Sequence, residues 1–102
     1  MIPPEACQDM TELRVQIDAL DRELVALLAR RAGYIDRAAE LKPGEGLPAR
    51  IGSRIDDVIA KVRARAGEEG LDPDLAEALW HELIEWAIRR EEAAMASRKD
   101  NR

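Results

Sequence analysis

Two cationic side chains, Arg31 and Lys42, stand in line with the apolar residues of the first half of the chain. Those apolar residues recur every three or four positions from Leu13 to Leu41, as on one face of a helix. Eleven residues separate the two cations, so on a helix they point within about 20° of each other and lie about 16 Å apart along the axis. A small polyanion fits such a gap. Because an unpaired buried cation is costly, either a protein carboxylate or an anionic ligand has to meet this pair.

A third cation and a carboxylate extend the pattern. Arg14 precedes Arg31 by seventeen residues, which on one helix turns it about 100° away and places it about 25 Å distant. One small ligand therefore cannot touch both on the same chain, and a shared site would need Arg14 from a second, antiparallel copy. Glu91 falls within an apolar stripe at helical spacing, so its carboxyl group could face the same cavity. The stripe consists of Trp80, Ile84, Ala87 and Met95.

Each of these residues also has an ordinary explanation. Arg14 can form surface ion pairs with aspartates on its own helix. Arg31 and Lys42 can extend their charged ends into solvent from the edge of an apolar face. Glu91 stands in a run of four charged residues, which is typical of a solvated face. The spacing by itself therefore leaves the function open.

The composition of the chain argues against several functional classes of protein. The 102 residues are enough for one domain, which dimerisation would help to stabilise. A net charge of -5 argues against a nucleic-acid partner. Cys7 is the only cysteine, no apolar run reaches the length of a membrane span, and no signal peptide is visible, so we expect a cytoplasmic protein without a membrane partner. No metal-ligand cluster, nucleophile with base or glycine-rich phosphate loop is present, so we expect neither metal nor cofactor.

The elements that would position these groups are helices. Asp9 and Glu12 have the spacing of a capping box, although Thr11 is a competing N-cap. The helix that begins there is predicted to be about 30 residues long, or roughly 45 Å. A helix of that length needs packing partners along its whole length.

Two further helices follow a loop rich in proline and glycine at residues 43–48. The second helix is predicted from about Arg50 or Ser53 to Ala66, where two glycines at 67 and 70 end it. The third covers about Pro73 to Ser97, with an aspartate before its first proline as N-cap. The predicted organisation is an N-terminal arm, a helical domain and a polar tail that frays, over residues 1–8, 9–97 and 98–102.

The segment TELRVQIDALDRELVALLARR, residues 11–31, resembles the first-helix signature of the all-helical chorismate mutases. That signature holds an Arg, an I-D-x-L-D core, a second Arg seventeen residues after the first, and a Lys eleven residues later. Arg14, Arg31 and Lys42 fill the three cationic positions. The resemblance extends from about Asp9 to Ala96, and it is closest in the first helix.

The resemblance implies an all-α fold of three helices per chain, with a long first helix, in an intertwined, domain-swapped homodimer. Each of its two identical active sites receives one arginine from the other subunit. Arg14 of the second subunit and Arg31 are implied to bind the two carboxylates of the substrate. Arg50 and Arg54 match the second-helix pattern R-x-x-x-R of the family and join the substrate-binding set.

The implied reaction is the rearrangement of chorismate to prephenate in aromatic amino-acid biosynthesis. Lys42 would donate a hydrogen bond to the ether oxygen whose bond breaks, and Glu91, where many members have Gln and some have Glu, would face the same oxygen. This Claisen rearrangement is pericyclic, so it needs no nucleophile, base, metal or cofactor, and catalysis comes from preorganisation and from donors at the ether oxygen. Because Glu91 donates only when protonated, we expect activity to rise toward acid pH.

The sequence departs from the mutase pattern at Ile51 and Ile55, where acidic residues are usual after each second-helix arginine. Isochorismate pyruvate-lyases of the same family, which form salicylate and pyruvate, have apolar residues there, and their P-E-x-C is similar to residues 4–7. Against the lyase, Glu91 replaces a Gln and the loop after Lys42 is not a clear match. Lyase activity on isochorismate is therefore the alternative, and a non-catalytic helical dimerisation module is the second.

Overall fold

The computed structural model describes the backbone of residues 1–100 and the side chains of residues 1–98. In this part of the chain there are three α-helices and no strand, which confirms the all-α prediction. Helix α1 has 32 residues, close to the predicted length. No helix of residues 1–100 has the length and the apolar character that a membrane crossing requires. The helices α1, α2 and α3 cover Met10–Leu41, Gly52–Glu69 and Pro73–Asp100, and short 3-10 helices cover Pro4–Ala6 and Pro43–Glu45.

Residues 1–33 form one compact unit, made of the N-terminal segment and most of α1. The helix begins as the capping box predicts, because Asp9 Oδ1 accepts a hydrogen bond from the Glu12 N–H at 2.8 Å. The Glu12 side chain in turn accepts from the Gln8 N–H at 2.7 Å. The apolar stripe of this unit is exposed, with Leu20 and Leu24 each more than half accessible.

Residues from Tyr34 onward form the second unit, in which α2 packs against α3. Two clusters of buried apolar side chains hold the helices together, and Trp80 and Val58 pack against both. The N-terminus of α3 is capped as predicted, because Asp72 Oδ1 accepts from the Asp74 N–H at 2.9 Å. The buried members of the clusters are Ala49, Ile84 and Ile88 in one, and Val62, Ala66 and Ala76 in the other.

Both later helices are longer than predicted. Helix α2 continues through Gly67 and ends at Gly70, which adopts the left-handed conformation with φ 75° and donates its N–H back to the last turn. Helix α3 continues past Ser97, where Arg98 contacts the Ala39 carbonyl at 3.5 Å. The predicted tail is thus helical through residue 100, and its positions 101 and 102 lie outside the described residues.

Candidate active site

An ion pair between Lys42 and Glu91 lies at the centre of the candidate site. Lys42 directly follows α1, and Glu91 lies on α3. The Lys42 Nζ is 2.7 Å from the Glu91 Oε1. Glu91 is 3% exposed, although it carries a charged group, and the Lys42 side chain is 18% exposed. Two groups that the sequence places 49 residues apart are therefore brought together away from solvent, where electrostatic interactions are stronger than in water.

The loop after α1 holds the Lys42 ammonium in place. Nζ donates a hydrogen bond to the buried Ala49 carbonyl at 2.7 Å. The Lys42 carbonyl accepts from the Leu47 N–H at 2.9 Å, and between them Gly46 takes a left-handed conformation with φ 69°. Glycine suits that turn because it has no Cβ to clash. The loop is therefore tied to Lys42 through both its main chain and its side chain.

The Glu91 Oε1 atom has no hydrogen-bond partner among the described residues. It is buried, and although Lys42 Nζ is close, the angles of that contact lie outside those of a hydrogen bond. Buried carboxyl oxygens are normally hydrogen-bonded, so an unused one indicates a place for a ligand atom or a water molecule. A polar ligand atom that reaches Glu91 here also lies near the ammonium group, so both can act on the same atom.

Arg50 and Arg54 are engaged elsewhere in the structure. Arg50 forms a bidentate pair with Glu85, at 2.9 and 2.6 Å. The hydrogen bond to Glu85 raises the pKa of Arg50 above its usual value, and the same bond lowers the pKa of Glu85. Arg54 pairs with Asp57 one turn along α2, at 2.6 Å. The structure thus joins Lys42 to Glu91, whereas these two arginines meet surface carboxylates.

Arg14 and Arg31 lie in the unit of residues 1–33. Arg14 is exposed and forms no ion pair with the residues that the structure describes, so the surface pairs that would explain it are not formed. Arg31 is partly exposed on α1. Their convergence with Lys42 on one substrate stays a prediction.

An open groove of about 890 Å³ lies between the loop after α1 and the last turns of α3. Leu47, Met95 and Arg98 line it, together with Ala49. Lys42 and Glu91 do not line the groove. In the single chain it is therefore not the cavity of the ion pair.

Sequence reasoning missed three contacts near the pair. The Ala49 carbonyl has no sequence signal, because a main-chain acceptor carries no residue type. Glu85 gave no signal either, since its partner Arg50 lies 35 residues away. Trp86 and Arg90, in contrast, stand at i and i+4 on α3, and the guanidinium carbon of Arg90 lies 5.2 Å from the ring centroid. That spacing could have predicted the cation–π contact.

The chain matches the family described as chorismate mutase type II over residues 13–92. It is 34% identical over 92 residues to a Pseudomonas aeruginosa protein named isochorismate pyruvate lyase, and the match covers 86% of each chain. It is also similar to two proteins named T-protein, from Enterobacter agglomerans (38% over 69 residues) and Haemophilus influenzae (34% over 68 residues). Those matches cover about two thirds of this chain but 18% of each T-protein. The chain belongs to the chorismate mutase type II family.

Proposed function

We propose that the protein is a chorismate mutase that converts chorismate to prephenate, with Lys42 and Glu91 acting on the ether oxygen of the substrate. The observation that carries the proposal is the buried pair itself, in which Nζ and Oε1 lie 2.7 Å apart. Family membership supports the substrate class. A cytoplasmic location stays a prediction from the sequence.

The chemical step needs hydrogen-bond donors at the ether oxygen, and such a pair supplies them. In one concerted step the ether C–O bond breaks, a C–C bond forms between the enolpyruvyl methylene and the ring, and no proton or electron is gained or lost overall. Negative charge grows on the ether oxygen in the transition state. Lys42 donates to that oxygen from a position already fixed by the Ala49 carbonyl, so little reorganisation is required. Glu91 donates a second hydrogen bond when it is protonated.

The two substrate carboxylates require further cations, and we propose Arg31 from the same chain and Arg14 from a second copy. Arginine suits this task because its planar fork binds a carboxylate with two hydrogen bonds. Arg50 and Arg54 complete the substrate-binding set in the proposal, and their present partners Glu85 and Asp57 are carboxylates that substrate carboxylates can replace. The resulting site is shared between two chains.

An intertwined homodimer also gives the exposed face of α1 a partner. In residues 1–33 four apolar side chains at helical spacing are each at least 46% exposed, and together they form a continuous stripe. An apolar stripe of this kind on a long helix is typical of an interface between chains. Exposed Arg14 lies on the same helix. The four side chains are Ile17, Leu20, Leu24 and Leu27.

Mixing two inactive variants tests the shared site. Arg14→Ala and Lys42→Ala homodimers are each expected to lose activity. Unfolded together in equal amounts and refolded, they should regain about one quarter of wild-type activity, because half of the dimers are mixed and one site of each mixed dimer holds both cations. Turnover of chorismate, followed by ultraviolet absorbance, measures the recovery. If Arg14 served its own chain, the mixture would stay inactive.

Isochorismate pyruvate-lyase activity is the second candidate, and two observations favour it. A protein of that name matches over 86% of both chains. In addition, Ile51 and Ile55 place apolar side chains where mutases usually hold acidic groups, the later of which binds the ring hydroxyl, and Ile55 packs against the core cluster around Ile84. In the lyase reaction a ring hydrogen moves to the enolpyruvyl methylene as the ether bond breaks. The same donors at the ether oxygen would serve it.

Parallel assays separate the candidates. Loss of chorismate reports the mutase, and salicylate fluorescence with isochorismate as substrate reports the lyase. We expect kcat/KM for chorismate to exceed that for isochorismate. The reverse order would assign the lyase, and turnover of neither substrate would assign the chain as a non-catalytic helical dimerisation module.

Ile55→Glu is expected to shift the ratio of the two kcat/KM values toward chorismate by about tenfold, because a carboxylate then meets the ring hydroxyl. It should also lower the free energy of unfolding by about 1–3 kcal/mol, since Ile55 packs against the core. The matched control is Ile59→Glu, one turn further along α2 and packed against the same cluster. The control should lose similar stability and leave the substrate ratio unchanged. Equal ratios in both variants would place residue 55 away from the ring.

A further inference from the structure

Two adjacent residues of α3 contact the last turns of α1. Arg90 forms a bidentate pair with Asp36, from Nε to Oδ1 at 2.5 Å and from the terminal NH2 nitrogen to Oδ2 at 3.0 Å. Glu91, the next residue, meets Lys42. Because Arg90 and Glu91 are neighbours on α3, the contact of Arg90 with Asp36 helps to fix the backbone that carries Glu91.

The Arg90 guanidinium is held on a second side by an aromatic ring. Trp86 lies one turn earlier on α3, and its ring centroid is 5.2 Å from the guanidinium carbon. The hydrogen bond from Arg90 also lowers the pKa of Asp36 below its usual value, so the pair stays charged throughout the neutral range. Stacking and a bidentate fork together restrict this arginine to one orientation.

Stability is not what this pair mainly supplies. The side chains of Arg90 and Asp36 are 48% and 46% exposed, and exposed ion pairs contribute little to the free energy of unfolding. The pair can instead fix orientation, because a bidentate pair holds its two side chains in a defined geometry. A reaction that depends on positioning is sensitive to displacements of about 1 Å. Another ion pair between α1 and α3, Arg98 with Glu40, is a single approach of 3.6 Å and constrains the helices less.

We propose that the Asp36–Arg90 pair, steadied by Trp86, is a positioning pair that sets the approach of Glu91 to Lys42. This inference rests on the proposed function of Lys42 and Glu91 at the ether oxygen. It assigns a role in the reaction to three residues that do not touch the substrate.

The first test compares two exposed aspartates that each pair with an arginine. Asp36→Asn is expected to lower kcat about tenfold with KM within about twofold of wild type, the size of effect that misplacing one catalytic group has. Asp74→Asn, which removes an exposed partner of Arg63 at 2.9 Å, should leave kcat unchanged. Both variants should unfold near the wild-type temperature. Equal kcat values in Asp36→Asn and wild type would overturn the proposal.

The second test distinguishes positioning from a general structural role. In a Glu91→Ala background there is no carboxyl group to position, so adding Asp36→Asn should change kcat by less than about twofold. If the two losses multiply instead, the pair acts on the whole fold and the proposal fails.

A measurement without substrate keeps this inference separate from the proposed function. The carboxyl ¹³C resonance of Glu91 should move in Asp36→Asn and stay in place in Asp74→Asn, because only the first variant releases the contact beside it. A resonance unchanged in both variants would refute the positioning role even if the enzyme is active. Absence of turnover with chorismate and isochorismate would refute the proposed function, and the resonance would still decide whether the pair positions Glu91.

Discussion

Lys42→Met is expected to lower kcat for chorismate by about 10³-fold, the upper end of what removing one preorganised donor costs. The Lys42 ammonium is the group that we place at the ether oxygen, and its hydrogen bond to the Ala49 carbonyl has already fixed its position. KM should change less, because the ground-state ether oxygen carries little charge. The matched control is Lys61→Met, which removes an exposed lysine paired with Asp57 on α2 and should leave kcat unchanged.

The same substitution has a second effect, on stability. It leaves Glu91 buried without its cation, which is expected to lower the free energy of unfolding by about 3 kcal/mol. The double variant Lys42→Met with Glu91→Gln should recover most of that loss, because the buried carboxylate is gone, and should stay inactive. Denaturant unfolding and steady-state kinetics on the three variants measure both effects. Full activity in Lys42→Met would exclude the proposed mechanism.

The sequence predicted the helices well because their signals are local. The apolar period of α1, its Asp9 cap and the Asp72 cap of α3 each depend on residues within a few positions of one another. The end of α2 was predicted too early because two glycines near it behave differently. Gly67 is tolerated inside α2, since a single glycine costs a helix only about 1 kcal/mol, whereas Gly70 ends it by taking a positive φ.

The candidate site was predictable in part. Glu91 stands within an apolar stripe, which allowed a carboxyl group facing a cavity, although the charged run around it is typical of a solvated face; the structure has it as a buried charged residue. Its partner could not be read from pattern alone, because Lys42 lies 49 residues away, just after α1, and long-range pairing leaves no periodic signal. The resemblance to the family implied that both side chains face the same substrate oxygen, but it did not predict the ion pair between them. Neither the sequence pattern nor the family resemblance predicted the hydrogen bond from Lys42 to the Ala49 carbonyl, since this contact depends on how the loop turns at Gly46.

Glu91→Gln is expected to remove the rise in activity toward acid pH that we predict for the wild-type protein. A carboxyl group donates to the ether oxygen only in its protonated form, so we expect wild-type kcat/KM to rise as the pH falls, whereas a glutamine amide donates at every pH. Glu91 Oε1 is buried and has no hydrogen-bond partner among the described residues, so it is open to a contact with a ligand atom. At neutral pH the Gln variant should exceed the wild type by about tenfold, the effect of one hydrogen bond worth about 1.4 kcal/mol.

The measurement is kcat/KM for chorismate between about pH 5 and pH 8, in the wild type, Glu91→Gln and the control Glu77→Gln. Glu77 is an exposed carboxylate on the same helix that pairs with Arg63 at 3.1 Å, so its variant should keep the wild-type slope. A slope that persists in Glu91→Gln would assign the titrating group elsewhere. A flat wild-type profile would mean that Glu91 serves only to neutralise and orient Lys42, and the ether oxygen would then receive its hydrogen bond from the ammonium alone.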